Sequence, residues 1–171
     1  VEGIDLDSLQ SDRAILSLIE KMQGKTTDTP LKGITVGKKE LNGIRIDASQ
    51  IPDLVPILAV LACGAQGITV IYNAKRLRLK ESDRLKAITD NVSALDADIK
   101  ETEDGLEIRG GKPLRGGVVQ GYNDHRIVMA CAVASLLAKG NITIVGAEAV
   151  NKSYPGFFAD FEALGGKIDV L

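Results

Sequence analysis

Ile68-Thr69-Val70-Ile71-Tyr72, followed by Arg76-Leu77-Arg78-Leu79-Lys80-Glu81-Ser82-Asp83-Arg84 and then Leu85 to Leu95, is the run that decides the fold. The first segment is β-branched and reads as a strand. The last carries apolar residues at Leu85, Ile88, Val92 and Leu95, the spacing of a helix with one buried face. Between them, nine residues hold four cations and two carboxylates. Ser82 is a suitable N-cap. Unsatisfied N–H groups and the helix dipole make such a junction a seat for an anion. Arg84 in the first turn opposes that dipole, and a bound anion would offset the conflict. If Arg76 to Lys80 is extended, its three cations share one face and its leucines the other. That pattern equally describes an edge strand with a solvated basic face.

The junction repeats. Ser82-Asp83-Arg84 has an earlier copy at Ser11-Asp12-Arg13, 71 residues upstream, and the same interval downstream reaches Ser153-Tyr154-Pro155. Each copy precedes a helical apolar pattern: Ile15, Leu18 and Met22 in the first, Tyr154, Phe157, Phe161 and Leu164 in the third. Pro52-Asp53 and Asn123-Asp124, also 71 apart, open two helices that are apolar nearly all round, to about Cys63 and about Ala138. Glycines close them (Gly64 or Gly67, and Gly140), and β-branched strands follow at Ile68–Tyr72 and Ile142–Val145. Short strands are expected at Gly33–Val36, Gly43–Ile46, Gly105–Ile108 and Val118–Val119, with turns at Gly110-Gly111 and Gly116-Gly117. The expected architecture is one α/β domain over 1–171 with three similar units, roughly 1–50, 51–121 and 122–171. Buried helices lie at its centre and sheets outside. The first unit lacks its opening helix.

Composition sets the outer limits. The chain has 171 residues, 44% apolar and 26% charged, with a formal net charge of −2. No bulk attraction to nucleic acid or to an anionic membrane is expected, so anion binding must come from local clustering. The longest apolar runs are too short to span a bilayer, and no signal peptide is visible. Cys63 and Cys131 lie inside apolar helical runs and read as buried thiols of a reducing compartment. The opening Val1-Glu2-Gly3 suggests a processed product, an excised piece or an incompletely reported start. No metal-ligand spacing, P-loop or dinucleotide fingerprint occurs.

Three clusters carry candidate chemistry. Lys80, Glu81 and Arg84 form one. Asn123-Asp124-His125-Arg126, with the only histidine, forms the second. Lys152 takes the place of Glu81 in the third copy. Each has a plainer reading: a salt bridge for Glu81, a helix cap for Asp53 and Asp124, a structural histidine, a solvated lysine. If the repeats gather their helix N-termini, Arg84, Arg126 and Lys152 converge on one anion, flanked by Asp53, Glu81 and Asp124.

Leu77-Arg78-Leu79-Lys80-Glu81-Ser82-Asp83-Arg84, Asn123-Asp124-His125-Arg126, Lys152-Ser153-Tyr154-Pro155-Gly156-Phe157-Phe158 and the upstream Pro52-Asp53 resemble the C-terminal signature of the 3-phosphoshikimate 1-carboxyvinyltransferase (EPSP synthase) family. The resemblance covers nearly the whole chain. It implies a two-domain enzyme, each domain an inside-out α/β barrel of three βαβαββ units, with the active site in the cleft between them. It implies transfer of the enolpyruvyl group of phosphoenolpyruvate to the 5-hydroxyl of shikimate 3-phosphate with release of phosphate, without a cofactor, in the cytoplasm (or the plastid stroma of a plant), and inhibition by glyphosate. By position, Arg84, Arg126 and Lys152 would hold phosphoenolpyruvate. Asp53 would bind the shikimate hydroxyls and act as a base. Glu81 would protonate the methylene carbon and take the proton back, Lys80 would approach the 5-hydroxyl, and Asp124 and His125 would orient these groups. The family's N-terminal Lys-Ser, Asn-x-Gly-Thr and Ser-x-Gln motifs and a further phosphate-binding arginine have no counterpart. The chain is therefore expected to need a missing N-terminal domain and to be inactive alone. A UDP-N-acetylglucosamine enolpyruvyl transferase domain and a non-catalytic anion-binding module are the alternatives. The motif set disfavours the first, and carboxylates beside the cations disfavour the second.

Overall fold

A computed structural model describes residues 1, 8–29, 33–37 and 39–171; Glu2 and Gly3 of the opening tripeptide lie outside the described residues. In chain order the elements are α1 (Ala14–Lys21), β1 (Lys25–Thr29), β2 (Gly33–Gly37), β3 (Arg45–Asp47), α2 (Val55–Cys63), β4 (Gly67–Tyr72), α3 (Arg84–Ala94), β5 (Asp98–Glu101), β6 (Leu106–Gly110), β7 (Leu114–Gln120), α4 (His125–Ala134), β8 (Ala138–Val145) and α5 (Phe157–Ala163).

The run from β3 to β6 is a full β-α-β-α-β-β unit. Its sheet has the order β3-β4-β6-β5, with β3 and β4 parallel and the other pairs antiparallel. Parallel neighbours need a crossover, and α2 supplies it. The same step recurs where α4 joins the parallel pair β7 and β8, and the β5–β6 hairpin has its counterpart in β1–β2. Element starts keep the interval: Val55 to His125 is 70 residues, Gly67 to Ala138 is 71, and Ala14 to Arg84 is 70. Backbone conformation repeats too. α1, α3 and α5 are each followed, one residue after the C-cap, by a left-handed residue: Gln23, Asp96 and Gly165.

α2 and α4 are the central helices, as their nearly all-apolar sequences require. α2 packs against α3, α4 and β6, and Val55, Leu58, Ala59 and Val60 are fully enclosed. Burial of each of the larger of these side chains contributes about 1.5–3 kcal/mol. α3 is amphipathic and lays Leu85, Ile88 and Val92 on this core. Cys63 and Cys131 are free thiols within it, and burial pushes both pKa values up to about 12. Among the described residues no helix is long and apolar enough to cross a membrane.

Several local expectations are corrected. Lys75–Leu79 is a 3-10 turn, so Leu77 is buried while Leu79 is exposed, and no two-residue alternation exists there. Arg78 is not a solvated cation. It ties this turn to the next hairpin through Asp83, Glu101 and the carbonyls of Thr102 and Glu103. The cap of α3 is Asp83, whose carboxylate accepts the Lys86 N–H; Ser82 points elsewhere. α4 stops at Ala134, well before Gly140, which lies inside β8. α5 starts at Phe157, 73 residues after Arg84, so the 71-residue interval does not fix the third helix, and Tyr154 and Leu164 stay exposed. Gly116 and Gly117 belong to β7, not to a turn. The register shifts there, and a Cβ on Gly116 would sit 2.6 Å from the Asn141 carbonyl oxygen of β8. Gly116→Ala is expected to destabilise the chain by about 1–3 kcal/mol, measured by urea unfolding; an unchanged midpoint would contradict the packing described.

Candidate functional site

The N-termini of α2, α3 and α4 place most of the candidate side chains together. Arg84 is the first residue of α3 and His125 the first of α4. Asp124 caps α4 by accepting the Arg126 N–H, 3.0 Å away. Its carboxylate is fully buried. Arg84 grips it with both edges of its fork, Nε to Oδ2 at 2.7 Å and Nη2 to Oδ1 at 3.2 Å. Ser82 Oγ donates to the same carboxylate at 3.0 Å. Each partner thus occupies the other, and the two helix starts are locked side by side.

Asp53 lies in the turn that opens α2 and is the next layer outward. Arg84 Nη1 donates to its Oδ1 at 2.8 Å, Lys80 Nζ stands 3.2 Å from the same oxygen, and Arg126 Nη2 stands 3.4 Å from Oδ2. Arg126 also donates to the Asp53 carbonyl at 3.1 Å. Three cations therefore focus on one small carboxylate. Glu81 sits at the rim, 3.8 Å from Arg84 and 3.0 Å from His125 Nδ1. Lys152 joins from the segment before α5, donating to the Asn123 carbonyl at 2.6 Å. Asp53, Lys80, Glu81, Arg84, Asp124, His125 and Arg126 thus lie in one connected cluster, and Lys152 meets it through the backbone of Asn123, next to Asp124.

Burial works to raise the pKa of Asp53, but the charges of Arg126, Lys80 and Arg84 outweigh it and hold the carboxyl below the usual range. For Asp124, burial again works upward and is outweighed by the bonds from Arg84, Ser82 and the Arg126 N–H. Burial disfavours the charge on Arg84, yet Asp124, Asp53 and Glu81 together raise its pKa. Glu81, Asp124 and His125 also bring ligand atoms within 4.8 Å of one another. Both Asp124 oxygens are already engaged by Arg84, however, so the set suits a guanidinium better than a metal ion.

Two contributors escaped the sequence reading. Asp12 stands 3.7 Å from Arg126; its signal was its place in the first Ser-Asp-Arg copy. The Asn123 carbonyl is backbone and carried no signal. Beside Asp53 and Arg126 a groove of about 230 Å³ opens between α2 and α4, lined by Pro56, Ile57, Met129 and Val133 with Phe157 at its edge.

Helix N-termini, arginines and carboxylates are massed at one end of this α/β domain, a setting that suits a small anion. The comparisons make this setting specific. The family model for EPSP synthase (3-phosphoshikimate 1-carboxyvinyltransferase) matches residues 1–161, and the chain belongs to that family. The 3-phosphoshikimate 1-carboxyvinyltransferase of Clostridium novyi (strain NT) is 52% identical over 166 residues, 97% of this chain and 38% of that relative. The one from Methanocella arvoryzae is 49% identical over 164 residues, 95% of this chain and 39% of the relative. A solved EPSP synthase from Acinetobacter baumannii superposes with a TM-score of 0.81 at 30% identity, covering 93% of this chain and 40% of that one. The enolpyruvyl transferase NikO from Streptomyces tendae shares the fold, with a TM-score of 0.75 at 22% identity, covering 92% of this chain and 37% of that one. The chain spans about two fifths of the length of the relatives it matches.

Asp124→Asn leaves Arg84 buried and short of a counter-charge, and is expected to cost about 3–5 kcal/mol; chemical denaturation of the variant checks it. The pH dependence follows from the lowered carboxyls. Stability from Asp53 and Asp124 is full above their ordinary value of 3.8 and is lost as pH falls through their lower folded values. Thermal melts should show the loss of this contribution on acidification below that point. In Asp124→Asn the acid-sensitive part should shrink.

Proposed function

We propose that this chain is the C-terminal half of an enzyme that moves the enolpyruvyl group of phosphoenolpyruvate to the 5-hydroxyl of shikimate 3-phosphate, releasing phosphate, in the cytoplasm. The observation that carries the reading is the focus of Lys80, Arg84 and Arg126 on Asp53, with Glu81 set against His125, in a member of this family. A point where three cations meet a carboxylate suits the carboxylate or phosphate of a small substrate. Asp53 stands in for that anion. Arg126 and Lys80 are partly exposed and can turn to a ligand, whereas Arg84 is enclosed and reaches one only as Asp53 releases its Nη1.

In the reaction, Asp53 would take the proton of the 5-hydroxyl, with the Lys80 ammonium beside it, as its oxygen bonds to C2 of phosphoenolpyruvate, and Glu81 would protonate C3. The resulting tetrahedral intermediate keeps its carboxylate and phosphate, so fixed cations stabilise it throughout. Return of the C3 proton to Glu81 would re-form the double bond and expel phosphate. His125 holds the Glu81 carboxylate on the side facing Arg84. Glyphosate, an anion of similar size, would compete at Arg126 and Lys152. The remaining ligands of shikimate 3-phosphate would come from an N-terminal domain outside this chain.

Titration of the chain with phosphoenolpyruvate, followed by NMR, tests the half-site. Arg126→Ala and Lys152→Ala should each weaken binding by roughly tenfold, the loss of one charge-assisted contact. Glu81→Gln should leave binding intact, and Asp53→Asn should tighten inorganic phosphate by removing the competing carboxylate. Affinities unmoved by Arg126→Ala and Lys152→Ala would refute the reading. The chain alone should yield no product with both substrates; turnover by it would contradict the need for a second domain.

A further inference from the structure

The loop between β7 and α4, which delivers Asn123 to Arg126, holds a conformation that its own residues do not favour. Tyr122 and Asn123 are consecutive and both left-handed, with φ of 52° and 53°. Neither is glycine, and an L side chain resists that region, tyrosine more than asparagine. The loop closes one bond of its own, the Asp124 N–H donating to the Gly121 carbonyl at 2.9 Å across the pair, and α3 braces it from outside at two further points.

The first is Asn91, two turns into α3 and nearly fully buried. Its Oδ1 accepts the Gln120 N–H at 2.9 Å and its Nδ2 donates to the Gln120 carbonyl at 2.7 Å. The side chain thus binds the last residue of β7 as a neighbouring strand would. Nδ2 also lies 3.3 Å from the Cys131 sulfur, so α4 is tied to the same amide. The second is Asp90, which accepts the Tyr122 hydroxyl at 3.2 Å and is itself held by Lys86. Between these points the Gly121 N–H donates to the Val145 carbonyl, closing the loop against β8.

The left-handed pair has a consequence at the site. It turns the Asn123 carbonyl toward Lys152, whose Nζ it receives at 2.6 Å, immediately before Asp124 takes Arg84. We infer that Asn91 and Tyr122, the latter through Asp90, are positioning residues. They hold the 120–123 loop in the left-handed state that seats Lys152 beside the anion site. Neither touches the substrate; both act through the Asn123 carbonyl. Helix α3 therefore serves the site twice, supplying Arg84 from its first turn and fixing the opposing loop from its third. The inference rests on the proposed use of Lys152 for substrate binding.

Its test has two readouts on the chain itself. The first needs no ligand: the amide-to-Hα coupling constants of Tyr122 and Asn123 report their φ angles. They should show left-handed values in the wild type and lose them in Asn91→Leu, which keeps the volume and removes both amide bonds. The second is phosphoenolpyruvate affinity in a double-mutant cycle. Asn91→Leu and Tyr122→Phe should each weaken binding by about threefold or more, and add nothing once Lys152→Ala is present. Should Asn91→Leu fail to fold by circular dichroism, Tyr122→Phe, at an exposed position, carries both readouts. Unchanged couplings, unchanged affinity, or losses that add to that of Lys152→Ala would each overturn the inference. If Lys152→Ala itself binds like the wild type, the substrate role of Lys152 fails, and the role of the loop in seating it fails as well. Altered affinity in Lys152→Ala alone would overturn only the clamp.

Discussion

The buried pair of Arg84 and Asp124 is the contact on which the rest of this site depends. It joins the first turn of α3 to the cap of α4, residues 40 apart in the chain. Burying a guanidinium and a carboxylate costs several kcal/mol for each ion in an enclosed setting. The cost is offset only because Asp124 receives four hydrogen bonds, from both edges of Arg84, from Ser82 and from the Arg126 amide. It also settles an apparent conflict. Arginine at a positive helix end is unfavourable alone, but here Arg84 faces a carboxylate that caps the neighbouring helix. The same pair fixes the height at which Asp53, Glu81 and His125 can meet it.

From this pair outward the cluster is a graded series. Arg84 and Asp124 are enclosed and committed to each other. Asp53, Lys80 and Arg126 are partly exposed and share their bonds more loosely. Glu81 and Lys152 lie at the rim, each with a partner a ligand could replace. Such a gradient separates structure from chemistry: the inner charges hold the helices, and the outer ones remain available. Each cation of the cluster already faces an oxygen of the protein. In the proposed function an incoming anion would exchange partners with Asp53 and would not meet bare cations.

Much of this was legible in the residues. The apolar runs Leu54–Cys63 and Ile127–Ala138 announced two central helices because almost no polar face was left for water, although the second helix ends at Ala134. The repeat of Ser-Asp-Arg and the Asp53–Asp124 spacing indicated that helix starts recur, and the motifs brought the eight candidate residues into view. The errors have local causes. Alternating arginines and leucines at 76–80 mimic a strand, but Leu77 is pulled into the core and Arg78 toward Glu101, which tightens the segment into a 3-10 turn. Ser82 and Asp83 are both competent caps, and the choice fell to Asp83 because Asp124 claims the serine hydroxyl. The third helix slipped in register because a longer turn, Ala147–Lys152, precedes it. Backbone groups such as the Asn123 carbonyl, and the clamp formed by Asn91, depend on tertiary placement and leave no periodic trace.

In the function proposed, this cluster is one wall of a two-domain enolpyruvyl transfer site. The most direct measurement mixes the chain with a separately produced N-terminal half of an EPSP synthase, verifies the complex by ultracentrifugation, and follows phosphate release from phosphoenolpyruvate. Release should require shikimate 3-phosphate and both halves, and should fall by about two orders of magnitude or more with Glu81→Gln, the loss expected for a general acid. A verified complex that releases no phosphate, or that works equally well with Glu81→Gln, would contradict the proposed function.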